Sequence, residues 1–309
     1  MVNNLITIHF PDIHSTEQEL KSPILDKAGI QLIIKREDLL HPFVSGNKWR
    51  KLKYNIEESK RGKFKQILTF GGAFSNHIYA AAAAGQLTGI PTIGMIRGEK
   101  TEPLNPTLSF AQSCGMKLHY LNREEYRKRN SPEFITELLN QFPDSYYVPE
   151  GGSNELGVKG CEEIIQDIEN DFDILTSAVG SGGTVAGLIS GLNGNKSVLG
   201  FSALKGQGIL DKDIFALLPP KAKHLSNWSV NYDYHFGGYA KINAELVKFI
   251  LNFKIQFQIT LEPVYTGKMM FGLFDLIQKG YFNRGTRILA IHTGGLQGNA
   301  GFPELNNHF

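Results

Sequence analysis

An α/β fold, with mainly parallel sheet flanked by helices, is what this sequence predicts. Three observations carry that reading. Short β-rich runs alternate with helical stretches, several runs are apolar throughout, and glycines cluster where runs end. Alternation at this spacing implies β-α-β units. Continuous apolar runs are expected of strands covered on both faces. In open sheets of this kind ligands bind beyond the carboxyl ends of the strands, and glycine lets backbone approach a ligand closely.

The runs "IQLIIKRE" (30–37), "QILTFG" (66–71), "PTIGMIR" (91–97), "MKLHYL" (116–121), "DSYYVP" (144–149), "DILTSAV" (173–179), "SVLGFSA" (197–203) and "TRILAIH" (286–292) are expected as strands. Helices are expected over 48–61, 76–88, 104–114, 131–142, 153–169, 183–193, 241–253 and 267–279. Pro and Gly cluster in "EFITELLNQFPDSYYVPEGGSNELG", which contains the expected crossing between two structural units.

Composition narrows the function. The 309 residues are 41% hydrophobic and 20% charged, the balance of a soluble globular chain. A net charge of +2 with interspersed signs gives no footprint for nucleic acid. The patch "KRGKFK" (60–65) reads as a solvated helix end. Cys114 and Cys161 stand far apart without metal-ligand spacing, which argues against a disulfide scaffold and fits a reducing compartment. "MVNNLITIHF" lacks the features of an export signal, and no apolar run is long enough to span a membrane. A cytoplasmic protein is the expectation.

Three strand-to-helix loops carry candidate chemistry. In "DILTSAVGSGGTVAGL" a strand ends at Val179 and Gly180, Ser181, Gly182, Gly183 and Thr184 lead into a helix of small residues. Backbone N–H groups and hydroxyls there can converge on a single compact phosphate at the helix N-terminus; a tight packing turn is the other reading. Val185 stands where a dinucleotide fingerprint needs glycine, and no P-loop is present. In "QILTFGGAFSNHIYAAAAAG", Ser75 suits a helix cap, and its hydroxyl with the adjacent N–H groups also suits a carboxylate. His77 has alanine at the i+4 position, so no metal is assigned. The C-terminal pair "EPVYTGKMMFGL" and "IHTGGLQG" sets Tyr265 and Thr266, then Thr293, beside glycine. "VGSGG" lacks the spacing of a serine-hydrolase elbow.

The order of a lysine after one strand, Ser-Asn after a second and a glycine phosphate turn after a third resembles the pyridoxal-phosphate (PLP) enzymes of the tryptophan-synthase-β type. Within them the chain looks most like the 1-aminocyclopropane-1-carboxylate (ACC) deaminase and D-cysteine desulfhydrase family. The motifs "KREDLLHPFVSGNKWRKL", "GGAFSNH", "PEGGSNELGVKG", "VGSGGTVAGL", "EPVYTGKMMFGL" and "IHTGGLQG" cover almost the whole chain.

The resemblance implies two mainly parallel sheets, a larger domain from residues 1–49 and 156–309 and an inserted domain from 50–155. It makes Lys48 the lysine that carries the cofactor, with Asn76 beside the ring oxygen and Val179 to Thr184 as the phosphate cup. Ser75 would hold the substrate carboxylate, with Asn76 and His77 also at the substrate. Tyr239 of "FGGYAK" and Tyr265 look like the two active-site tyrosines. The family's ACC deaminases carry glutamate and leucine where this chain has Thr266 and Thr293, and hydroxyls at both places resemble the desulfhydrase branch. The expected reaction is β-elimination from D-cysteine to pyruvate, hydrogen sulfide and ammonia, with Lys48 as base. ACC deamination and a non-catalytic PLP- or nucleotide-binding relative are the alternatives. A homodimer acting on a small amino acid is implied. Arg50, Lys51 and Lys53 are read as ordinary cations of a solvated helix.

Overall fold

The computed structural model describes residues 13–306, so the N-terminal stretch considered above for an export signal lies outside the described residues. β1 (Glu17–Leu20) and α1 (Pro23–Ala28) precede β2 (Gln31–Lys35) and α2 (Asn47–Arg61). Then come β3 (Gln66–Gly72), α3 (Asn76–Thr88), β4 (Thr92–Arg97), α4 (Pro106–Ser113), β5 (Lys117–Leu121), α5 (Arg123–Arg127), α6 (Pro132–Gln141) and β6 (Ser145–Val148). The chain continues with α7 (Glu155–Gln166), β7 (Ile174–Val179), α8 (Gly183–Leu192), β8 (Ser197–Ser202), α9 (Ile209–Leu217) and β9 (Trp228–Asn231). It ends with α10 (Ala244–Phe257), α11 (Thr266–Gln278), β10 (Arg287–Ile291) and α12 (Pro303–Asn306).

The strands form two sheets, one ordered β1-β2-β10-β7-β8-β9 and the other β5-β4-β3-β6. Every pairing is parallel except β1 with β2. The apolar runs are buried on both faces, as their composition requires. Leu32, Ile34, Ile288 and Ala290 pack with α10 and α11, while Ile33, Leu289 and Ile291 between them pack with α7, α8 and α9. The smaller sheet repeats this: Ile67 and Ile96 meet α2, α3 and α4, and Leu68, Phe70 and Met95 meet α5 and α6.

All eight expected strands and all eight expected helices form, with ends shifted by a few residues. The helix expected from 241 begins at Ala244, because Asn243 caps it by accepting from Leu246 N, and it runs on to Phe257. Six elements escaped the pattern: β1, α1, α5, α9, β9 and α12. They are short, and the two strands lie at sheet edges where one flank has no neighbour to demand an apolar run. Local signals existed for two of the helices. Ser22-Pro23 opens α1 and Gly29 closes it, and Asn122 with Glu125 forms a capping box on α5.

Small residues set how close α7 lies to its neighbours. A Cβ on Gly160 would fall 1.9 Å from the carbonyl oxygen of Arg50 in α2, and one on Gly187 would fall 2.4 Å from Cys161 Cβ in α7. α2 and α8 therefore press onto α7 with almost no side chain between them, and these two helices begin at the residues discussed next.

Candidate active site

The loops that leave β3, β6, β7 and β10 at their carboxyl ends meet around one cavity of about 550 Å3 between the two sheets. It is lined by Lys48, Ser75, Asn76, His77, Val179, Gly180, Ser181, Gly182, Thr184, Tyr239, Tyr265 and Thr293, among others. Of the site residues expected from sequence, only Gly183 and Thr266 do not line it.

Lys48 is delivered by a backbone crossing that glycine alone allows. Gly46 has φ +62°, and a Cβ on it would sit 2.0 Å from the Thr293 carbonyl oxygen. That oxygen accepts from Asn47 N at 3.2 Å, which starts α2 against the end of β10. Lys48 Nζ donates to Asn47 Oδ1 (3.0 Å), and Asn47 Nδ2 donates to Thr184 Oγ1 (2.9 Å), so the amine is tied to the glycine turn. Burial, and then the neighbouring Lys51 charge, lowers the Lys48 pKa to about 7.

Lys51 and Arg50 correct the sequence reading. Neither is a solvated cation: they are 1% and 4% exposed. Arg50 bonds Glu37 and Asp167, and Lys53 pairs with Glu163 at 3.1 Å. Lys51 lines the cavity and donates to Gly151 O (3.1 Å) and Ser153 Oγ (3.0 Å), both neutral groups. Burial lowers its pKa. Ser153 Oγ in turn lies 2.6 Å from Ser181 Oγ of the glycine turn. Gly182 takes φ +78° to open α8, and a Cβ on Gly183 would strike Ser153 Oγ at 2.7 Å and Lys51 Nζ at 2.9 Å. A helix N-terminus, two hydroxyls and an uncompensated buried ammonium thus surround one hollow. The helix spacing held a signal for Lys51, since residues i and i+3 share a helix face.

Ser75 does cap α3, accepting from His77 N and Ile78 N at 3.2 Å each. Its own O–H has no acceptor among the described residues and remains available to a carboxylate in the cavity. Asn76 Oδ1 accepts from Gln297 Nε2 at 2.7 Å. His77 is 2% exposed. The Thr69 hydroxyl donates to Val148 O (2.7 Å), so it accepts from His77 Nε2 (2.8 Å), leaving Nδ1 as a buried acceptor without a partner. Burial, with Lys48 and Lys51 nearby, holds the His77 pKa well below its ordinary value. Tyr265 and Tyr239 meet edge to face with centroids 6.1 Å apart. A Cβ on Gly180 would touch the Tyr265 ring at 2.7 Å. Asn47, Lys51, Ser153 and Gln297 are cavity residues that the sequence reading did not single out.

The two threonines part company. Thr293 lines the cavity, and its hydroxyl has no partner among the described residues. Thr266 is 0% exposed and spends its hydroxyl on Glu262. Glu262 accepts from the N–H groups of Val264, Tyr265 and Thr266 at the start of α11. Burial raises its pKa against these bonds. Its carboxylate is therefore consumed as a helix cap behind the cavity wall. Two residues into α11, Lys268 Nζ donates to His235 O (2.9 Å) and Gly238 O (2.8 Å), gripping the loop that presents Tyr239.

A half-buried amine of lowered pKa beside a hollow suited to a phosphate monoester is what a phosphorylated, lysine-linked cofactor requires. The residues present fit pyridoxal phosphate: Lys48 for the covalent link, Lys51 and Ser181 to Thr184 for the phosphate. Comparison with known proteins agrees. Residues 15–214 match the family model described as "Pyridoxal-phosphate dependent enzyme". A putative 1-aminocyclopropane-1-carboxylate deaminase of Pyrococcus abyssi is 31% identical, covering 87% of this chain and 86% of its own. The bifunctional D-cysteine desulfhydrase/1-aminocyclopropane-1-carboxylate deaminase of Arabidopsis thaliana is 32% identical, with 87% and 73% covered. A crystal structure of an ACC deaminase homologue superposes with TM-score 0.83 at 28% identity over 99% of both chains. The chain belongs to the pyridoxal-phosphate dependent enzyme family, and its fold is the tryptophan-synthase-β-like one of those enzymes.

Proposed function

We propose that the protein is a D-cysteine desulfhydrase, converting D-cysteine to pyruvate, hydrogen sulfide and ammonia. The observation that carries this reading is the Thr293 hydroxyl, which lines the cavity without a partner among the described residues, while Glu262, the carboxylate beside Thr266, is spent as a helix cap. We assign the contact with the pyridine nitrogen to Thr293 and none to Thr266. Bound PLP supplies an electron sink for negative charge at Cα. A hydroxyl does not keep the nitrogen protonated as a carboxylate would. Loss of a thiolate after α-proton removal needs less from that sink than opening a cyclopropane that has no α-proton.

The chain's own groups supply the rest. The Ser75 hydroxyl and the Asn76 N–H, which the cap does not use, bind the substrate carboxylate, with the Asn76 side chain and His77 beside it. Lys48, whose pKa burial lowers to about 7, takes the α-proton. Tyr265, packed against Gly180, and Tyr239 beside it close the wall next to the glycine turn, orient the substrate and move protons. The division into an inserted domain (50–155) and a larger one belongs to the same proposal, supported by the two separate sheets. So does a reducing, cytoplasmic setting, supported by two free cysteines. Among the described residues no helix is long and apolar enough to cross a membrane. The homodimer implied by the family resemblance is tested by sedimentation equilibrium.

The decisive assay compares sulfide and pyruvate release from D-cysteine with 2-oxobutyrate release from ACC by the cofactor-loaded protein. D-cysteine is expected to be the better substrate by kcat/KM. The reverse ranking would overturn the Thr293 argument and favour the activity named for the Pyrococcus relative.

A further inference from the structure

The outer end of the cavity carries charge that the reaction described above does not use. Arg97, the last residue of β4, and Arg129, beyond α5, both line it, together with Asn130 and Glu150. Both guanidinium groups lie against one ring, 5.9 Å and 5.2 Å from the Tyr126 centroid. Glu150 is already answered: Arg129 Nε donates to it at 2.5 Å and Tyr126 Oη at 2.7 Å. Arg97 has no carboxylate partner among the described residues. Asp213, the other acid lining the cavity, lies on α9 near Ala216 and Leu217, a different element. At this end the exposed Arg97 has no protein carboxylate to pair with among the described residues, and the substrate carboxylate is already provided for at Ser75.

We propose that Arg97 and Arg129 bind an anionic group at the end of a longer substrate side chain, so that beside D-cysteine the protein turns over β-substituted amino acids and prefers those whose substituent carries a second negative charge over their uncharged counterparts. This rests on the lyase reading and names its substrate class: β-substituted amino acids whose substituent ends in a carboxylate, sulfonate or phosphate. Arginine suits the task because its planar fork pairs with such groups through two parallel N–H bonds. Tyr239 and Tyr265 line the same cavity as the two arginines, so a substituent on Cβ can extend toward them within it.

O-succinyl-D-serine and O-acetyl-D-serine test this, because both lose a carboxylate leaving group and differ in the terminal charge. In either case Lys48 takes the α-proton, the Cβ–O bond breaks with its electron pair on the departing acid, and water converts the enamine to pyruvate and ammonia. With the cofactor-loaded protein, kcat/KM for the succinyl ester should exceed that for the acetyl ester by about tenfold. Arg97→Met should remove that preference, and raising the salt from roughly 0.05 to 0.5 M should shrink it. A wild-type ratio of one or less, or a ratio unchanged in Arg97→Met, would overturn the proposal. If neither ester nor D-cysteine yields pyruvate, the lyase reading fails separately. Calorimetric binding of D-glutamate against D-glutamine then decides. Tighter D-glutamate binding that is lost in Arg97→Met supports the anion site; equal affinities sink it.

Discussion

Replacing Lys48 by methionine should stabilise the cofactor-free protein at neutral and acid pH. The amine ionises near 10.5 in an unfolded chain and at about 7 in the folded one. Between those values the unfolded state holds the extra proton, so stability rises with pH across that window. Below about pH 7 both states are protonated and the fold bears the whole cost of the charge; above 10.5 it bears none. At about 1.4 kcal/mol per pH unit the gap amounts to about 5 kcal/mol. The amine opens on a cavity that admits water, which screens it, so roughly half of that ceiling is the working figure. Methionine keeps most of the apolar stem and removes the charge. Urea unfolding followed by circular dichroism at pH 6, 8 and 10 should show Lys48→Met more stable by ~2–3 kcal/mol at pH 6, with the advantage fading by pH 10. Lys268 is common to both proteins and cancels in the difference, whereas the Lys51 ammonium, relieved of repulsion by Lys48, adds to the advantage in the same direction. A gap that does not change with pH, or a methionine variant less stable at pH 6, would refute the assignment of a destabilised amine at this position.

Two further outcomes are expected. Gly160→Ala should cost about 3 kcal/mol or more in urea unfolding, because its methyl group would meet backbone rather than a movable side chain. It should also weaken the visible cofactor band by shifting the start of α2. Lys268→Met should leave that band intact yet lower kcat for D-cysteine by about tenfold, since the loop that presents Tyr239 loses two charge-assisted bonds; an unchanged kcat would show that Lys268 serves stability alone.

Much of this was legible in the chain. The core strands show themselves as apolar runs because a parallel sheet buries both faces, and that demand is met residue by residue. Gly180 to Thr184 could be read as an anion turn because its chemistry sits in consecutive backbone groups. Ser75 could be read as a cap for the same reason, and the structure shows that capping leaves its O–H free. The edge strands β1 and β9 left no such trace, since one flank is open and their burial is partial.

Local order therefore determined the α/β class, the loops that bear chemistry and, through the motif series, the family and Lys48. Tertiary structure decided which side chains around those loops are withheld from water. Arg50 and Lys51 look alike in sequence, yet one is bound into a carboxylate network and the other turns to the phosphate hollow. Thr266 and Thr293 look equivalent, yet a buried glutamate claims the first hydroxyl and leaves the second free. Arg97 and Arg129, on separate elements, become neighbours only across the ring of Tyr126. In each case the outcome depends on partners distant along the chain, and the energy of a charge or hydroxyl is set by the groups that replace its water.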